Sequence, residues 1–305
     1  GGRPNARPNR ATIVYANLLR QAFGADLPIV LGGIEASLRR IAHYDYWSDS
    51  VRRSILVDAK ADLLIFGMGE RPTWELADRL AAGEPLESIK DLRGSAHVLP
   101  KGAWEQLETS RYIPDGKPLL LPSYEEVAAD KRAFSRLSQL FQHETNPGNA
   151  RPLLQPHGDR AVYYNPPALP LDTALMDELY DLPFARRAHP SYGEEGVPAF
   201  DTVKHSIVTM RGCFGGCTFC SITEHEGRVI QSRSAESVLR EVRALRRMSD
   251  FRGTITDVGG PTANMYQMRC RSPRIENACR RLSCVYPGVC KNLVTDHEPL
   301  IELLR

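Results

Sequence analysis

Three cysteines in a ten-residue stretch constrain this chain more than any other feature. The stretch, RGCFGGCTFC at residues 211–220, spaces Cys213, Cys217 and Cys220 as C-x3-C-x2-C. Thiolates are soft ligands that suit iron–sulfur clusters and zinc. A structural zinc needs four ligands, and the nearest further candidate is His225, in a polar run that we expect to be exposed. Three thiolates on a cubane cluster would instead leave one iron open to another ligand.

The residues between the cysteines fit a chain that wraps around a cluster. Gly215 and Gly216 separate the first two cysteines, and glycine adopts positive φ at little steric cost. They also allow backbone amides to approach inorganic sulfides, and such hydrogen bonds tune the potential of a cluster. Phe219 precedes the last cysteine and is predicted to shield the cluster from water or oxygen.

The flanking sequence predicts one βαβ unit. The run HSIVTM at 205–210 is typical of a strand, and Ser234 is predicted to cap a helix with apolar residues at helical spacing. The run GTITDVGG at 253–260 predicts a second strand that ends in paired glycines. Both special loops would then lie at the carboxyl ends of parallel strands, where α/β folds carry their chemistry.

The chain before this unit divides into two regions. Residues 10–100 alternate helix and strand, with PIVLGG at 28–33 and ADLLIFGMGE at 61–70 as buried strands, which predicts a parallel sheet. The glycines after these strands either expose amides to an anion or cofactor or only make tight turns. Residues 102–191 hold 11 of the 22 prolines and predict a connector with few strands and one helix, capped by Ser123 and Glu126.

Composition excludes several classes of protein. The net charge of +2 does not indicate a nucleic-acid-binding surface, and RALRR is interpreted as a solvated helix face. No apolar run approaches the roughly 20 residues that span a bilayer, and no signal peptide is visible. We therefore expect a cytoplasmic protein without membrane or nucleic-acid partners. The odd number of cysteines, seven, argues against a disulfide framework.

The cysteine stretch resembles the C-x3-C-x-Φ-C signature of radical S-adenosylmethionine (SAM) proteins, with Phe219 as the aromatic residue. The longer run RGCFGGCTFCSITEHEGRVIQSRS and GGPTANMY at 259–266 resemble the YgiQ-type family, over most of the chain. The resemblance implies that Cys213, Cys217 and Cys220 hold a [4Fe-4S] cluster whose fourth iron binds SAM. Reductive cleavage of SAM would give a 5′-deoxyadenosyl radical that abstracts hydrogen from an unknown substrate. An electron donor such as flavodoxin or ferredoxin is also implied.

The resemblance also assigns cofactor-binding residues. Phe219 would lie near the adenine, and Gly259 and Gly260 match the glycines whose backbone receives the amino group of SAM. The family pattern there is Gly-Gly-Glu, but this chain has proline in the third place, so Thr262 and Asn264 are considered as substitutes. Arg233 is a candidate for the SAM carboxylate, with a solvated surface arginine as the alternative.

Four more cysteines fall within 21 residues near the end of the chain. Four thiolates would satisfy an auxiliary cluster or a zinc ion. The alternative is that they are small buried residues, with or without a redox pair. These cysteines are Cys270, Cys279, Cys284 and Cys290.

The predicted fold is α/β: a Rossmann-like, cobalamin-binding-like N-terminal domain followed by the start of a radical SAM partial (βα)6 TIM-like barrel. The predicted limits are 1–101 for the first domain, 102–201 for the connector with its helix near 124–142, and 202–305 for the core. About 100 residues are too few for that barrel, so a truncated fragment is expected. Cobalamin is not expected, because the Asp-x-His-x-x-Gly motif is missing. The competing hypothesis is a non-catalytic protein with structural zinc or a redox-sensing cluster.

Overall fold

The computed structural model describes residues 8–104, 107, 112, 116–261 and 263–305. Its first part alternates short strands with helices, as predicted. The first helix ends at Phe23, and the following Gly24 caps it by donating its amide hydrogen to Arg20 O. In chain order the elements are α1 Ala11–Phe23, β1 Val30–Leu31, α2 Gly33–Leu38, β2 His43–Asp45, β3 Ser50–Arg52, α3 Ile55–Asp58, β4 Leu63–Ile65, α4 Glu70–Ala81, a 3-10 turn Leu86–Ser88 and β5 Ser95–Leu99.

The middle of the chain holds more strands than the sequence predicts. Its elements are β6 Leu119–Leu120, α5 Tyr124–Ala129, α6 Lys131–His143, β7 Leu153–His157, β8 Arg160–Tyr164, α7 Thr173–Tyr180, a 3-10 turn Pro190–Glu195 and α8 Phe200–Val203. Strands β6, β7 and β8 join the sheet begun by β1, β4 and β5, in the order β1-β4-β5-β8-β7-β6. The expectation of a connector with few strands is therefore wrong, and the sheet crosses the predicted limit at residue 101.

The six-stranded sheet is mixed, whereas the sequence predicted a parallel one. Pairs β1–β4 and β6–β7 are parallel, and the remaining neighbours are antiparallel. Strands β7 and β8 form a hairpin in which His157 pairs with Arg160 around Gly158, whose φ is +66°. Two-residue turns of this kind join antiparallel strands. The parallel pairing of β1 with β4 is the part of the prediction that holds.

The predicted helix near 124–142 is two helices. Ser123 and Glu126 form the predicted capping box at the start of α5. Asp130 then adopts an extended conformation, with φ −134° and ψ 122°, and its carboxylate accepts from Arg132 N as the N-cap of α6. Aspartate competes with helical hydrogen bonding through such local contacts, which is why the chain breaks here.

Apolar residues cover both faces of the sheet. Leu64 contributes to a core that includes Ala96, Val162 and Tyr164 and the helix residue Leu137. Its neighbours along β4 point to the other face and pack against α4 and the segment that follows it. Burial on both faces confirms the prediction that ADLLIFGMGE contains a buried strand.

The last part contains the predicted βαβ unit. Its elements are β9 Ile207–Val208, β10 Met210–Arg211, α9 Ile222–Glu226, β11 Gln231–Ser232, α10 Ala235–Leu245, β12 Val258–Gly259, β13 Arg269–Cys270, α11 Pro273–Ala278, β14 Leu293–Val294 and α12 Glu298–Leu304. Strands β9 and β12 are parallel, and Ser234 caps α10 by accepting from Ser237 N. Val238 and Leu245 of α10 pack against Ile207. Across the described residues, no helix combines the length and the apolar character needed to cross a membrane.

Candidate metal centre

The cysteine loop runs from the end of β10 to the start of α9, at the carboxyl ends of β9 and β12. Cys213 N donates to Gly227 O at 3.0 Å, and Thr223 Oγ1 donates to Cys213 O at 3.2 Å. These bonds tie the first cysteine to both ends of α9. The loop therefore has the position that the sequence predicts for it.

The three loop cysteines differ in exposure. Cys213 is buried in a cluster with Met210, Phe214 and Tyr266, whereas Cys217 is exposed and Cys220 is half-buried. All seven cysteines of the chain lie in the described part, and none of them forms a disulfide. Cys213 therefore packs into the protein interior, whereas Cys217 and Cys220 are accessible to a group that approaches from solvent.

Gly215 leaves space between two of these thiols. A Cβ atom added to Gly215 would lie 3.2 Å from Cys213 Sγ and 3.8 Å from Cys217 Sγ. Gly215 N also approaches Cys213 Sγ at 3.4 Å, so a backbone amide faces the sulfur. A side chain here would occupy the space that both thiols border. The predicted role of this glycine thus has a counterpart in the geometry, and the donor set fits an iron–sulfur cluster.

Gly216 brings the loop against the segment that contains the later cysteines. Its φ is +64°, and an added Cβ would lie 2.2 Å from Leu282 O. Cys284 N donates to Phe214 O at 3.0 Å, which fixes the same contact. A residue with a side chain would therefore meet both an unfavourable φ and a backbone collision at this position.

A cavity of about 420 Å³ opens beside the loop and is lined by both Cys217 and Cys220. Its other walls come from Gly216, from α9 and from residues 281–287. Among the described residues, no three His, Cys, Asp or Glu side chains lie close enough together to hold one metal ion. Ligands of a cubane cluster bind different irons, so their spacing is wider than that around a single ion.

Phe219 projects into solvent. Its exposed fraction is 91%, so in this structure the ring does not cover the thiols, contrary to the predicted shielding role. The loop turns at this point, because Cys220 N donates to Cys217 O at 3.1 Å. The ring next to the third cysteine is therefore free to contact a bound molecule.

The paired glycines lie where the sequence predicts them, at the end of β12. Gly259 pairs with Val208 of β9, and its carbonyl accepts from Thr209 N at 2.7 Å. A Cβ on Gly260 would lie 1.9 Å from Met210 Sδ and 3.1 Å from Met210 O, so this turn packs closely against the strand that leads into the cysteine loop. Thr262, another predicted SAM contact, lies outside the described residues.

Arg233 is enclosed by protein. Its guanidinium donates to Val208 O at 2.9 Å and to Ser237 Oγ at 2.9 Å, pairs with Glu241, and lies 4.3 Å from the ring centroid of Tyr180. Its exposed fraction is 1%, so the alternative of a solvated surface arginine is wrong. These contacts tie α10 to β9, and the predicted contact with a SAM carboxylate finds no support in them.

Helix α9 packs against the first part of the molecule. The carbonyl oxygen of His225 lies 3.4 Å from the Cβ position of Gly67, in the glycine turn after β4. Arg211 Nη1, just before the loop, donates to Glu70 Oε1 at 2.5 Å. The run SITEHEG, which we expected to be exposed, is therefore half-buried. Of the turn glycines that are candidates for cofactor contacts, Gly67 and Gly69 pack against protein, whereas a Cβ on Gly32 or Gly33 would meet nothing within 4 Å.

A second ion pair at this contact is marked by no local pattern in the sequence. Arg40 is buried between the rings of Phe66 and Phe141, with centroid distances of 4.6 and 4.4 Å. Its Nη2 lies 3.7 Å from Glu224 Oε2, which is an ion-pair distance but too long for a hydrogen bond. Burial lowers the pKa of Arg40 to about 10, with Glu224 opposing the shift, and burial raises the pKa of Glu224.

The four later cysteines share one cavity of about 670 Å³. Burial raises the pKa of the Cys284 thiol; the nearby Cys290 and Cys279 thiols raise it further, whereas Arg228 beside it lowers it. The structure thus brings these four residues to the same space, although it separates them into a strand, a helix end and a loop. The cavity is lined by Cys270, Cys279, Cys284 and Cys290.

Comparison with known proteins assigns most of the chain to one group. The model of the radical SAM N-terminal family matches residues 1–206. A UPF0313 protein from Bradyrhizobium diazoefficiens is 54% identical over all of this chain and 47% of its own length. YgiQ of Escherichia coli is 49% identical over 98% of this chain and 46% of its own length. The chain therefore spans about half the length of these relatives.

One solved structure shows a weaker likeness. It is the radical SAM methyltransferase TsrM from Kitasatospora setae, solved with tryptophan and a SAM analogue. The match covers 83% of this chain and 32% of that one, with 15% identity and a TM-score of 0.41. A likeness at this level does not establish a shared fold.

Proposed function

Since this chain belongs to the YgiQ-type (UPF0313) family of radical SAM proteins, we propose that Cys213, Cys217 and Cys220 hold a [4Fe-4S] cluster for SAM cleavage. The observation that carries the proposal is the space at Gly215, which the thiols of Cys213 and Cys217 border. Three cysteine ligands leave the fourth iron for SAM. When bound by these cysteines and reduced, the cluster would supply the electron for cleavage of SAM to methionine and a 5′-deoxyadenosyl radical, which would abstract hydrogen from a substrate.

The residues around the loop then orient SAM. The turn at Gly259 and Gly260 offers backbone groups to the amino group of SAM beside the cysteine loop, because Gly260 packs directly against Met210. Phe219 contacts the adenine ring in this proposal, which its exposure next to Cys220 supports. Arg233 keeps β9 and α10 together and so supports the strand ends from which both loops project.

The first part of the molecule supports the cysteine loop. Its glycine turn after β4 packs on α9, and Glu70 pairs with Arg211. We therefore infer an architectural role for this part, which holds both ends of the cysteine loop in place.

The proposed reaction needs an electron donor of low potential, such as a flavodoxin or a ferredoxin. The matched relatives are about twice as long as this chain, so residues that select the substrate are sought along the whole length of those relatives.

Metal analysis of the anaerobically reconstituted chain tests the proposal. We expect a brown protein with charge-transfer absorbance, and a loss of about four irons per chain in Cys217→Ala relative to the wild type. With SAM and dithionite, the wild type should form 5′-deoxyadenosine and the variant should not. Ser221→Ala is the matched control, because Ser221 is exposed and makes no capping hydrogen bond at the start of α9.

A colourless protein with one zinc per chain would contradict the cluster and favour the non-catalytic alternative. Equal iron content in the wild type and in Cys217→Ala would show that the loop is not the ligand. If a relative of the full family length binds iron but forms no 5′-deoxyadenosine, the cluster would stand and the proposed cleavage of SAM would be rejected.

A further inference from the structure

The four later cysteines reach their common cavity from three separate elements. Cys270 ends β13, Cys279 follows α11, and Cys284 and Cys290 lie in the loop before β14. All four line the same cavity of about 670 Å³. Buried cysteines that serve only to fill the core have no reason to line one cavity together. These four do so although turns and a helix separate them along the chain.

Backbone hydrogen bonds fix three of these cysteines relative to each other. Cys270 pairs with Leu293 across the β13–β14 ribbon. Leu293 N donates to Cys290 O at 3.0 Å, and Cys290 N donates to Cys284 O at 2.7 Å. A continuous set of main-chain contacts thus connects Cys270, Cys290 and Cys284, and the loop is ordered without any bond between sulfurs.

The fourth cysteine is held by a turn from the middle of the chain. Asn146 Nδ2 donates to Cys279 O at 2.8 Å, and Asn149 Nδ2 donates to the same oxygen at 3.1 Å. A Cβ on Gly148 would lie 2.6 Å from Asn277 Cα, so this turn contacts the end of α11 closely. The position of Cys279 is therefore built by tertiary contacts rather than left to a flexible loop.

The charges around the cavity suit an anionic group. Four arginines line it against a single glutamate, Glu276. Arg281 also orders the loop, because its guanidinium donates to Ser283 O at 3.2 Å and to Gly288 O at 3.1 Å. An iron–sulfur cluster with four thiolate ligands carries net negative charge, which guanidinium groups would offset. The lining arginines are Arg228, Arg269, Arg274 and Arg281.

The size of the shared cavity favours a cluster over one zinc ion. A zinc ion with four cysteines needs all sulfurs at about 2.3 Å from one point. In the described chain, no three His, Cys, Asp or Glu side chains lie close enough together for one ion, whereas the four cysteines are among the residues that line a cavity of about 670 Å³. A cubane cluster takes each thiolate on a different iron and fills a larger volume.

We propose that Cys270, Cys279, Cys284 and Cys290 bind a second iron–sulfur cluster of the [4Fe-4S] type. This site is next to the cysteine loop, because Phe214 lines the cavity and its carbonyl accepts from Cys284 N at 3.0 Å. The proposal does not depend on what the loop binds, since the two sets of cysteines are distinct.

Iron, sulfide and zinc analysis with Mössbauer spectroscopy tests the second site. The test compares the reconstituted wild-type chain with two sets of variants. The loop set is Cys213→Ala/Cys217→Ala/Cys220→Ala, with Cys217→Ala/Cys220→Ala as a milder form that keeps the buried Cys213. The second set replaces the four later cysteines with serine. We expect about eight irons per chain in the wild type and about four in each full set.

Each outcome decides between the two sites. Loop variants that keep about four irons with a cubane Mössbauer signal support the second cluster. A folded loop variant without iron, or with one zinc, overturns it, as does a serine variant with the iron content of the wild type. If only the loop variants contain less iron than the wild type, the second site is rejected and the loop site stands. If only the serine variant contains less iron than the wild type, the proposed role of the loop is rejected. Far-UV circular dichroism establishes that each variant is folded.

Discussion

At the scale of single residues, Gly215 shows how the loop can accept a cluster. An added methyl group would lie 3.2 Å from Cys213 Sγ and 3.8 Å from Cys217 Sγ, in the space between them. Gly215→Ala should therefore lower the iron content of the loop site by half or more while leaving the fold intact. Iron analysis and far-UV circular dichroism measure both effects. Gly32→Ala is the control, because a Cβ at Gly32 meets nothing within 4 Å.

The buried His157 should make the stability of the fold depend on pH. Its exposed fraction is 4%, neither ring nitrogen has a hydrogen-bond partner among the described residues, and burial, with Arg53 nearby, lowers its pKa from 6.5 to about 4. A lowered histidine pKa stabilises the fold above pH 6.5, and that stability is lost as pH falls from 6.5 towards 4. The loss should be about 3 kcal/mol for this group.

His157→Phe should remove that part of the pH dependence, because phenylalanine keeps the contact with the ring of Tyr124 and cannot be protonated. Urea unfolding at pH 7 and pH 4.5 measures the difference. His297→Phe, at an exposed position, should leave the difference as in the wild type. A pH dependence that is the same in His157→Phe and the wild type would show that this imidazole does not titrate with unfolding.

At the scale of elements, Asp130 decides that residues 124–143 form two helices. Its carboxylate accepts from Arg132 N at 2.9 Å as the N-cap of α6. Asp130→Ala should lower the free energy of unfolding by about 1 kcal/mol, whereas Asp130→Asn should keep most of it because asparagine also caps helices. Chemical denaturation measures both. Equal stability of the alanine variant and the wild type would mean that the break has another cause.

Elements marked by a local signal or by a strand–helix–strand order could be predicted from the sequence, and pairings without such a mark could not. The caps at Ser123 and Ser234 follow from short-range patterns, and the parallel β9–β12 pair follows from the strand–helix–strand order. The pairing of Ala96 with Tyr164 joins distant parts of the chain, and no local pattern marks it. The surroundings of Arg233 come from three separate elements, which is why its enclosed position was not foreseen.

At the scale of the molecule, the sheet and the cysteine loop meet through the ion pair of Arg211 and Glu70. Both side chains are mostly buried, so Arg211→Ala should lower the free energy of unfolding by about 2 kcal/mol. The double variant Arg211→Ala/Glu70→Ala should lower the free energy of unfolding by less than the sum of the losses in the two single variants. Arg240→Ala, which breaks an exposed pair with Asp181, should lower the free energy of unfolding far less than Arg211→Ala does. Additive losses at Arg211 and Glu70 would contradict the coupling.

The central claim is that the loop cysteines hold a cluster with one iron open to SAM. The most direct measurement is the electron paramagnetic resonance spectrum of the dithionite-reduced chain, with and without SAM, in the variant that has serine in place of the four later cysteines. We predict that SAM changes the g values of the cluster signal and that Cys217→Ala in this background abolishes the signal. A cluster signal that is identical with and without SAM, or that survives Cys217→Ala, would contradict the claim.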